Sequence, residues 1–216
     1  MRVTLPNDVH ALLKRAAEIE GRTLRDFVVS AARTVRPGMT FPFRLESLGE
    51  QHERSLFRCG EDALDRYFQT QVTQDIRRHI ANCFVAVEAI TSTIAVWYTI
   101  SATSIPLVDL PPDETKRLPR YPSVPAVRTV PAVRIGRLAV DQRFQGRGLG
   151  AALLADAATR ALKADAAAFT LLVDTKNDQA VAFYQRFGFR TLASQPRTLF
   201  LPLATARKVL LREGEG

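Results

Sequence analysis

Six residues decide the fold of this chain: Gln145-Gly146-Arg147-Gly148-Leu149-Gly150. They follow an apolar run over 133–140 that predicts a strand, and they precede an Ala- and Leu-rich segment over 151–158 that favours a helix. A turn with so few side chains lets backbone N–H groups converge on an anion at a helix N-terminus, where the helix dipole also favours negative charge. The stretch therefore predicts a site for a phosphate-bearing ligand.

The glycines are compatible with more than one interpretation. Gly146, Gly148 and Ala151 also fit Gly-x-Gly-x-x-Ala, the dinucleotide fingerprint of a Rossmann fold. That fold requires an acidic residue about twenty positions further on, at the end of a second strand. The nearest strand-ending acid here is Asp174, which comes too late. The spacing argues against a dinucleotide, and a purely structural glycine turn remains the third interpretation.

A second motif extends from Asn177 to Phe189. It predicts a helix that starts at Asn177, bears Phe183 and Tyr184, and ends in Phe-Gly-Phe over 187–189 before a strand. Together with the Gln-x-x-Gly-x-Gly spacing of the loop, it resembles the signatures of the GNAT N-acetyltransferases. The resemblance implies an α/β fold with a mixed, splayed central sheet, and acetyl-CoA as the co-substrate.

The resemblance also implies a role for individual residues. Backbone groups of Leu138, Ala139 and Val140 would bond the pantetheine arm, and the pyrophosphate would be held by Gln145, Gly146, Arg147, Gly148, Leu149, Gly150 and Ala151. Asn177 and Phe183 would complete the cofactor site. Tyr184 would act as the general acid that protonates the departing thiolate. The alternative for Tyr184 is a core aromatic on an amphipathic helix.

Composition narrows the possible partners. The 216 residues carry a formal charge of +8 at pH 7, which favours a polyanionic partner such as nucleic acid. Two cysteines and three scattered histidines show no metal-ligand spacing, so we expect neither a metal site nor a disulfide framework. The sequence has no apolar stretch of about 18 residues and no signal-peptide core, so we expect a cytoplasmic protein without a membrane span.

Residues 1–36 predict a small N-terminal module of one strand and two helices, followed by a linker over 37–42. This order resembles the ribbon-helix-helix antitoxins that are encoded beside GNAT toxins. The resemblance implies a homodimer that binds operator DNA, with Arg2 and Thr4 directed at the bases. The alternative is a helical hairpin that only dimerises.

Residues 43–210 predict the second module, one α/β domain. Helices predicted over 59–68 and around 74–78, and a strand over 83–89, resemble the GNAT toxins of toxin-antitoxin pairs. Those toxins acetylate the α-amino group of an amino acid charged onto tRNA. The resemblance implies charged tRNA as a partner, with Arg77, Arg78 and Arg137 as candidate tRNA-binding residues, and a separate antitoxin. The alternatives are a GNAT enzyme of a small amine or protein N-terminus, and a DNA-binding autoregulator.

Two irregularities accompany the modules. Met39 is the only methionine besides Met1 and lies between the modules, as expected if an antitoxin frame had been joined to a toxin frame. In addition, Val-Pro-Ala-Val-Arg occurs twice, at 124–128 and at 130–134. Because the proline of each copy disfavours strand pairing, we expect this duplication to lengthen a loop before the central strand.

Overall fold

The computed structural model describes residues 43–116, 118 and 129–206, with Ala151 described by its backbone only. The predicted N-terminal module, Arg2, Thr4 and the first copy of the duplication lie outside the described residues. The strands are β1 (Phe43–Ser47), β2 (Asn82–Glu88), β3 (Ile94–Pro106), β4 (Thr129–Val140), β5 (Thr170–Asp174), β6 (Arg190–Thr191) and β7 (Thr198–Pro202). The α-helices are α1 (Asp62–Thr70), α2 (Val72–Arg77), α3 (Pro112–Thr115), α4 (Leu149–Lys163) and α5 (Asp178–Arg186).

These strands form a seven-stranded sheet in the order β1-β2-β3-β4-β5-β7-β6. β4 and β5 run parallel, and each of the other described strand pairs is antiparallel. The connection between the two parallel strands contains the glycine-rich stretch and α4. The predicted mixed α/β fold is confirmed, as are the strand and helix predicted on either side of that stretch. No helix in the described residues combines the length and the apolar character that a membrane span requires.

The two faces of the sheet are covered differently. On one face, α4 packs Leu153, Leu154 and neighbouring alanines against inward-facing residues of β3, β4, β5 and β7, in a cluster that we call the α4 cluster. On the other face, Trp97 lies in the Trp97 cluster, where the Phe68 ring of α1 stacks on it with centroids 4.7 Å apart. A third cluster on that face, the Phe200 cluster, surrounds the ring of Phe200.

A β-bulge interrupts the pairing of β3 with β4. Thr99 pairs with Arg137 and Ile100 with Ile135, so Gly136 has no partner on β3. The buried Thr99 hydroxyl accepts a hydrogen bond from the Arg137 N–H at 3.1 Å, and a Cβ at Gly136 would lie 3.1 Å from the same oxygen. A bulge bends its strand. The pairing of β4 with β5 accordingly ends at Ile135 and Val173, and the two strands separate beyond that point.

The duplication does not lengthen a loop in its second copy, so that expectation was wrong for residues 130–134. Val130, Pro131 and the following residues pair with β3 inside β4. The Pro131 carbonyl accepts a hydrogen bond from the Phe169 N–H at 2.8 Å. Because the N–H and C=O of a strand residue point to the same side, the missing N–H of Pro131 faces the β5 side before β5 begins at Thr170. The proline therefore removes no hydrogen bond between β4 and β3.

The Thr99→Val variant tests the bulge. We expect it to lower the free energy of unfolding by about 1–3 kcal/mol, because it leaves the Arg137 N–H without its acceptor at nearly constant side-chain volume. Urea unfolding measures this change. Thr103→Val, a half-buried position on the same strand, is the control and should change stability less. Equal stability of both variants would contradict the role of the Thr99 hydroxyl.

Candidate functional site

A cavity of about 600 Å³ opens where β4 and β5 separate. It is lined by the last residues of β4, the glycine-rich loop, the start of α4 and one face of α5. Of the predicted cofactor-binding residues, the structure brings to this cavity Leu138, Ala139, Val140, Gln145, Gly146, Gly148, Leu149, Gly150, Asn177 and Phe183, together with Tyr184. The cavity has the position that a splayed GNAT sheet requires.

The backbone of β4 presents two kinds of amide at this cavity. The Asp141 N–H donates to the Ala95 carbonyl at 2.8 Å, on the β3 side of the strand. Because the N–H and C=O groups of a strand alternate between its two sides, Ala139 also faces β3, whereas Leu138 and Val140 face the gap. Main-chain groups of Leu138 and Val140 are thus aimed at the space that β5 has left.

The glycine-rich loop lies at one end of this gap and leads into the N-terminus of α4. Gly146 and Gly148 have φ of 73° and 74°, in the left-handed region that favours glycine. Apart from the glycine itself and its two neighbours in the chain, no described residue has an atom within 4 Å of the position that a Cβ would take at Gly146, so its backbone is open to a ligand. Among the residues that the structure describes, no side chain caps α4. In α5, by contrast, the Asn177 side chain accepts a hydrogen bond from the Ala180 N–H at 2.9 Å. The first amides of α4 therefore remain available to an anion.

Two predicted phosphate-loop side chains shape the loop itself. The Gln145 amide donates to the carbonyls of Cys59 at 2.9 Å and Val140 at 3.0 Å, and so ties the loop to the segment before α1. The Arg147 guanidinium donates to the Arg143 carbonyl at 2.8 Å and does not line the cavity. The roles predicted for Gln145 and Arg147 toward pyrophosphate stay predictions.

Asp141 is a structural residue of this loop that the sequence did not reveal. Its buried carboxylate accepts hydrogen bonds from the backbone N–H of Arg58 and from both the backbone and the guanidinium of Arg143. Burial alone would raise the pKa of Asp141, but these hydrogen bonds lower it below its ordinary value. The ionised carboxylate therefore fixes the loop between β4 and α4 to the chain before α1.

Gly150 and Phe183 bring α4 and α5 close together at the cavity. A Cβ at Gly150 would lie 3.0 Å from the edge of the Phe183 ring, tighter than ordinary van der Waals contact. The absence of a side chain at Gly150 therefore allows α5 to reach the gap. Phe183 in turn packs its ring against Tyr184, with centroids 5.2 Å apart.

Tyr184 presents a protonated phenol to the cavity. Burial raises its pKa to about 12, so the hydroxyl keeps its proton across the neutral range. The ring also packs against Phe189 at 5.4 Å between centroids. Within the described part of the chain, the Tyr184 hydroxyl has no hydrogen-bond partner. It is available as a donor to a bound molecule.

Cys59, Glu61 and Leu64 also line the cavity. Their place there could not be predicted, because they lie about 80 positions before the loop. Burial is the largest cause that raises the pKa of the Cys59 thiol to about 12, so the thiol is not a nucleophile at neutral pH. Among the described residues there is no group of His, Cys, Asp and Glu that could hold a metal ion.

The three candidate tRNA-binding arginines lie outside the cavity, on the face of the sheet that bears α1 and α2. The Arg137 guanidinium lies 3.6 Å from the centre of the Tyr67 ring, and the Tyr67 hydroxyl donates to Asp75 of α2 at 2.7 Å. Arg77 and Arg78 are exposed at the end of α2.

Comparisons with known proteins agree with this geometry. Residues 123–199 match the acetyltransferase (GNAT) domain family, and residues 1–35 match the antitoxin TacA 1-like family. The chain is 30% identical over 169 residues to a probable toxin TacT of Sinorhizobium fredii, covering 74% of this chain and 90% of the relative. It is 31% identical over 156 residues to a tRNA-acetylating toxin of Mycobacterium tuberculosis, covering 71% of this chain and 88% of the relative.

A solved structure, AtaT complexed with acetyl-methionyl-tRNAfMet, has the same fold with a TM-score of 0.68. It is 25% identical in sequence, and the match covers 77% of this chain and 98% of AtaT. The cavity between the parting strands, the uncapped helix and these similarities have one common explanation. The chain belongs to the GNAT N-acetyltransferases, in the family of the TacT toxins.

Proposed function

We propose that this protein transfers an acetyl group from acetyl-CoA to the α-amino group of an amino acid esterified to tRNA, and that it thereby blocks translation. The observation that supports this most is the gap between β4 and β5, which ends at an uncapped helix N-terminus and contains a protonated phenol. The relatives that are named as TacT and as a tRNA-acetylating toxin support the choice of acceptor.

The residues present suit acetyl-CoA. The gap-facing N–H groups of Leu138 and Val140, and the Leu138 carbonyl, can bond an extended arm as a neighbouring strand would. The open backbone at Gly146 and the free amides at the start of α4 suit a pyrophosphate. Acetyl-CoA supplies an activated acetyl thioester. A gap-facing N–H of β4 can polarise a thioester carbonyl, as the donors of an oxyanion hole do.

Tyr184 is proposed as the general acid. Tyr184 lines the cavity and its hydroxyl keeps its proton at neutral pH, so it can donate to a sulfur atom on which negative charge develops. The acceptor requires no strong base in the site, because an α-amino group has a pKa of about 7.7–8.0 and is partly neutral at working pH. Water can remove the remaining proton.

Exposed cations on the α2 side of the sheet are proposed to bind the tRNA backbone. Arg77 and Arg78 extend from the end of α2, and Arg137 is held over Tyr67 at the centre of that face. The charge of +8 supports a polyanionic partner. Because charged tRNA is a cytoplasmic molecule, we also propose a cytoplasmic location.

We propose a division into an antitoxin-like module over 1–36, a linker over 37–42 and the acetyltransferase module over 43–210. The antitoxin-like match over residues 1–35 supports the first module. Through that module we propose a homodimer and binding of operator DNA by Arg2 and Thr4. The linker is too short to contain a covering segment, so neutralisation is proposed to require a separate antitoxin.

Transfer of labelled acetyl groups tests the proposed function. The purified full chain is incubated with labelled acetyl-CoA and with a panel of charged tRNAs, the same tRNAs deacylated, and polyamines. We expect label only on charged tRNA. Labelled polyamine without labelled tRNA would favour a small-amine acetyltransferase instead. A protein that shifts operator DNA but labels nothing would favour a DNA-binding autoregulator.

Gly146→Ala tests the pyrophosphate site. We expect it to weaken acetyl-CoA binding at least about tenfold, because the left-handed backbone costs about 1–2 kcal/mol for a residue with a Cβ and because the methyl group enters the open side of the loop. Calorimetric titration measures the affinity. Gly188→Ala is the matched control, since Gly188 also has a positive φ, 83°, but lies outside the cavity lining. Equal affinities of the two variants would contradict the assignment.

Tyr184→Phe tests the general acid. We expect kcat to fall at least about a hundredfold while acetyl-CoA affinity is retained, because only the proton donor is removed. In the wild type, kcat/KM should rise through the acceptor pKa of about 7.7–8.0. At pH values below about 11, loss of the phenol proton should not decrease kcat/KM, because the pKa of Tyr184 is raised to about 12. The control is Tyr67→Phe, which removes another phenol and should leave kcat nearly unchanged. A Tyr184→Phe variant with wild-type kcat would show that Tyr184 is not the general acid.

The double variant Arg77→Ala and Arg78→Ala tests the tRNA contacts. If both arginines contact phosphates, the KM for charged tRNA should rise, and the slope of log KM against log salt should decrease by about 1.4–1.8. Steady-state kinetics at several salt concentrations measure that slope. Arg186→Ala, at the end of α5 on the opposite face, is the control. A double variant with an unchanged slope would show that these arginines are only solvated.

A further inference from the structure

Polar side chains lie between the Trp97 and Phe200 clusters, on the face opposite α4, and we call this part of the surface the cleft. On β3, the half-buried residues Ser101 and Thr103 follow Trp97 at alternate positions. On β4, Arg137 and Arg134 lie on either side of the bulge and face the same way as these residues, because Arg137 pairs with Thr99 and Arg134 with Ser101. The cleft therefore crosses the sheet where β4 leaves β5.

Asp174 points into this cleft at the point where the strands part. Leu171 and Val173 of β5 belong to the α4 cluster and Leu172 to the Phe200 cluster, so alternation directs Asp174 to the cleft face. The last pair of β4 with β5 is Ile135 with Val173, and Asp174 is the next residue. Its carboxylate accordingly lies beside the apex of the fork, on the face opposite α4 and α5.

Two neighbours fix the Asp174 carboxylate. The Thr198 hydroxyl donates to Oδ1 at 2.8 Å, and the Arg134 guanidinium forms an ion pair with Oδ2. A carboxylate offers about four lone-pair sites, so two partners leave it able to accept further hydrogen bonds. The side chain is 47% exposed, which gives a ligand access to those sites.

We propose that Asp174 binds the acceptor, with its carboxylate accepting hydrogen bonds from the α-amino group that is to be acetylated. The inference rests on the proposed acetyl transfer and names the residue that recognises the acceptor amine. The cofactor gap opens at the same fork, and Asn177, three residues after Asp174, lines it. An amine held at Asp174 therefore approaches the gap from the face opposite α4, while the cofactor cavity is bounded on the other side by α4 and α5.

The neighbouring Arg134 affects the protonation state of an amine bound at the Asp174 carboxylate. Its positive charge disfavours a permanent ammonium at the same site, because like charges repel. The Asp174 carboxylate can accept hydrogen bonds from the amine in either protonation state, and the nearby charge of Arg134 favours the neutral form that attacks the acetyl group. The acetyl transfer itself is unchanged: the neutral amine nitrogen bonds to the acetyl carbon, the C–S bond breaks, and the sulfur takes its proton from Tyr184. The proton that the nitrogen loses passes to water, and Tyr184 regains a proton from solvent.

Asp174→Asn tests the proposal on whichever acceptor of the transfer panel the wild type acetylates. We expect the KM for that acceptor to rise at least about tenfold, because a hydrogen bond to a charged group is lost, with little change in acetyl-CoA affinity. Asp178→Asn is the control: it removes the same charge from an exposed residue that pairs with Arg197 at 3.2 Å. It should leave the KM unchanged.

A purely structural role for Asp174 predicts a different pattern. If the carboxylate only joins β4, β5 and β7, then Asp174→Asn should lower acetyl-CoA affinity together with stability, and the acceptor KM should not change selectively. That pattern, or a wild-type KM, would overturn the proposal. A wild type that does not acetylate charged tRNA would not by itself overturn the proposal for Asp174, because the test then uses another amine that the wild type acetylates.

A measurement on the wild type keeps the proposal testable if the variant does not fold. The reaction is inhibited with an analogue of the acceptor in which a hydroxyl group replaces the α-amino group. We expect this analogue to bind at least about tenfold more weakly than the amine, because a hydroxyl group donates only one hydrogen bond to Asp174 whereas an amino group donates at least two. Equal affinity of amine and hydroxyl analogue would overturn the proposal.

Discussion

The bulge at Gly136 is the constraint on which the site depends. A strand in continuous register with both neighbours would use all its main-chain groups within the sheet. The bulge, supported by the hydrogen bond from the Arg137 N–H to Thr99, bends β4 away from β5 and leaves the gap-facing groups of Leu138 and Val140 without strand partners. The same bend opens the cavity, and Asp174 follows the last residue of β5 that pairs with β4. One irregularity in one strand thus produces the space for both reactants.

The two faces of the sheet are proposed to bind different reactants, the co-substrate on the α4 face and the acceptor on the opposite face. The α4 face contains the glycine-rich loop, the uncapped helix N-terminus and the phenol of Tyr184, all suited to an anionic, thiolate-generating co-substrate. The opposite face contains Arg137, Arg134 and Asp174 between two apolar clusters. The reaction requires both partners to meet at the fork, and the separation of the faces keeps the two binding sites from competing.

The local features of the fold could be predicted from the sequence. The strand, glycine turn and helix around Gly146 follow from short-range preferences, as do the N-cap at Asn177 and the positive φ at Gly188. The GNAT resemblance that these motifs indicated is confirmed by the family matches. The bulge could not be predicted, because it depends on the register between two strands whose paired residues, Thr99 and Arg137, are far apart in sequence. The same holds for the cavity positions of Cys59 and Glu61, and for Pro131, whose place inside β4 depends on where β5 begins.

Amide hydrogen exchange, followed by NMR with and without acetyl-CoA, tests the central claim most directly. We expect the Leu138 and Val140 amides to exchange fast in the free protein and slowly when acetyl-CoA is bound, because the arm then takes the place of the missing strand. The Ala139 amide, which faces β3, should exchange slowly in both states. Saturating acetyl-CoA that leaves exchange at Leu138 and Val140 unchanged would contradict the account.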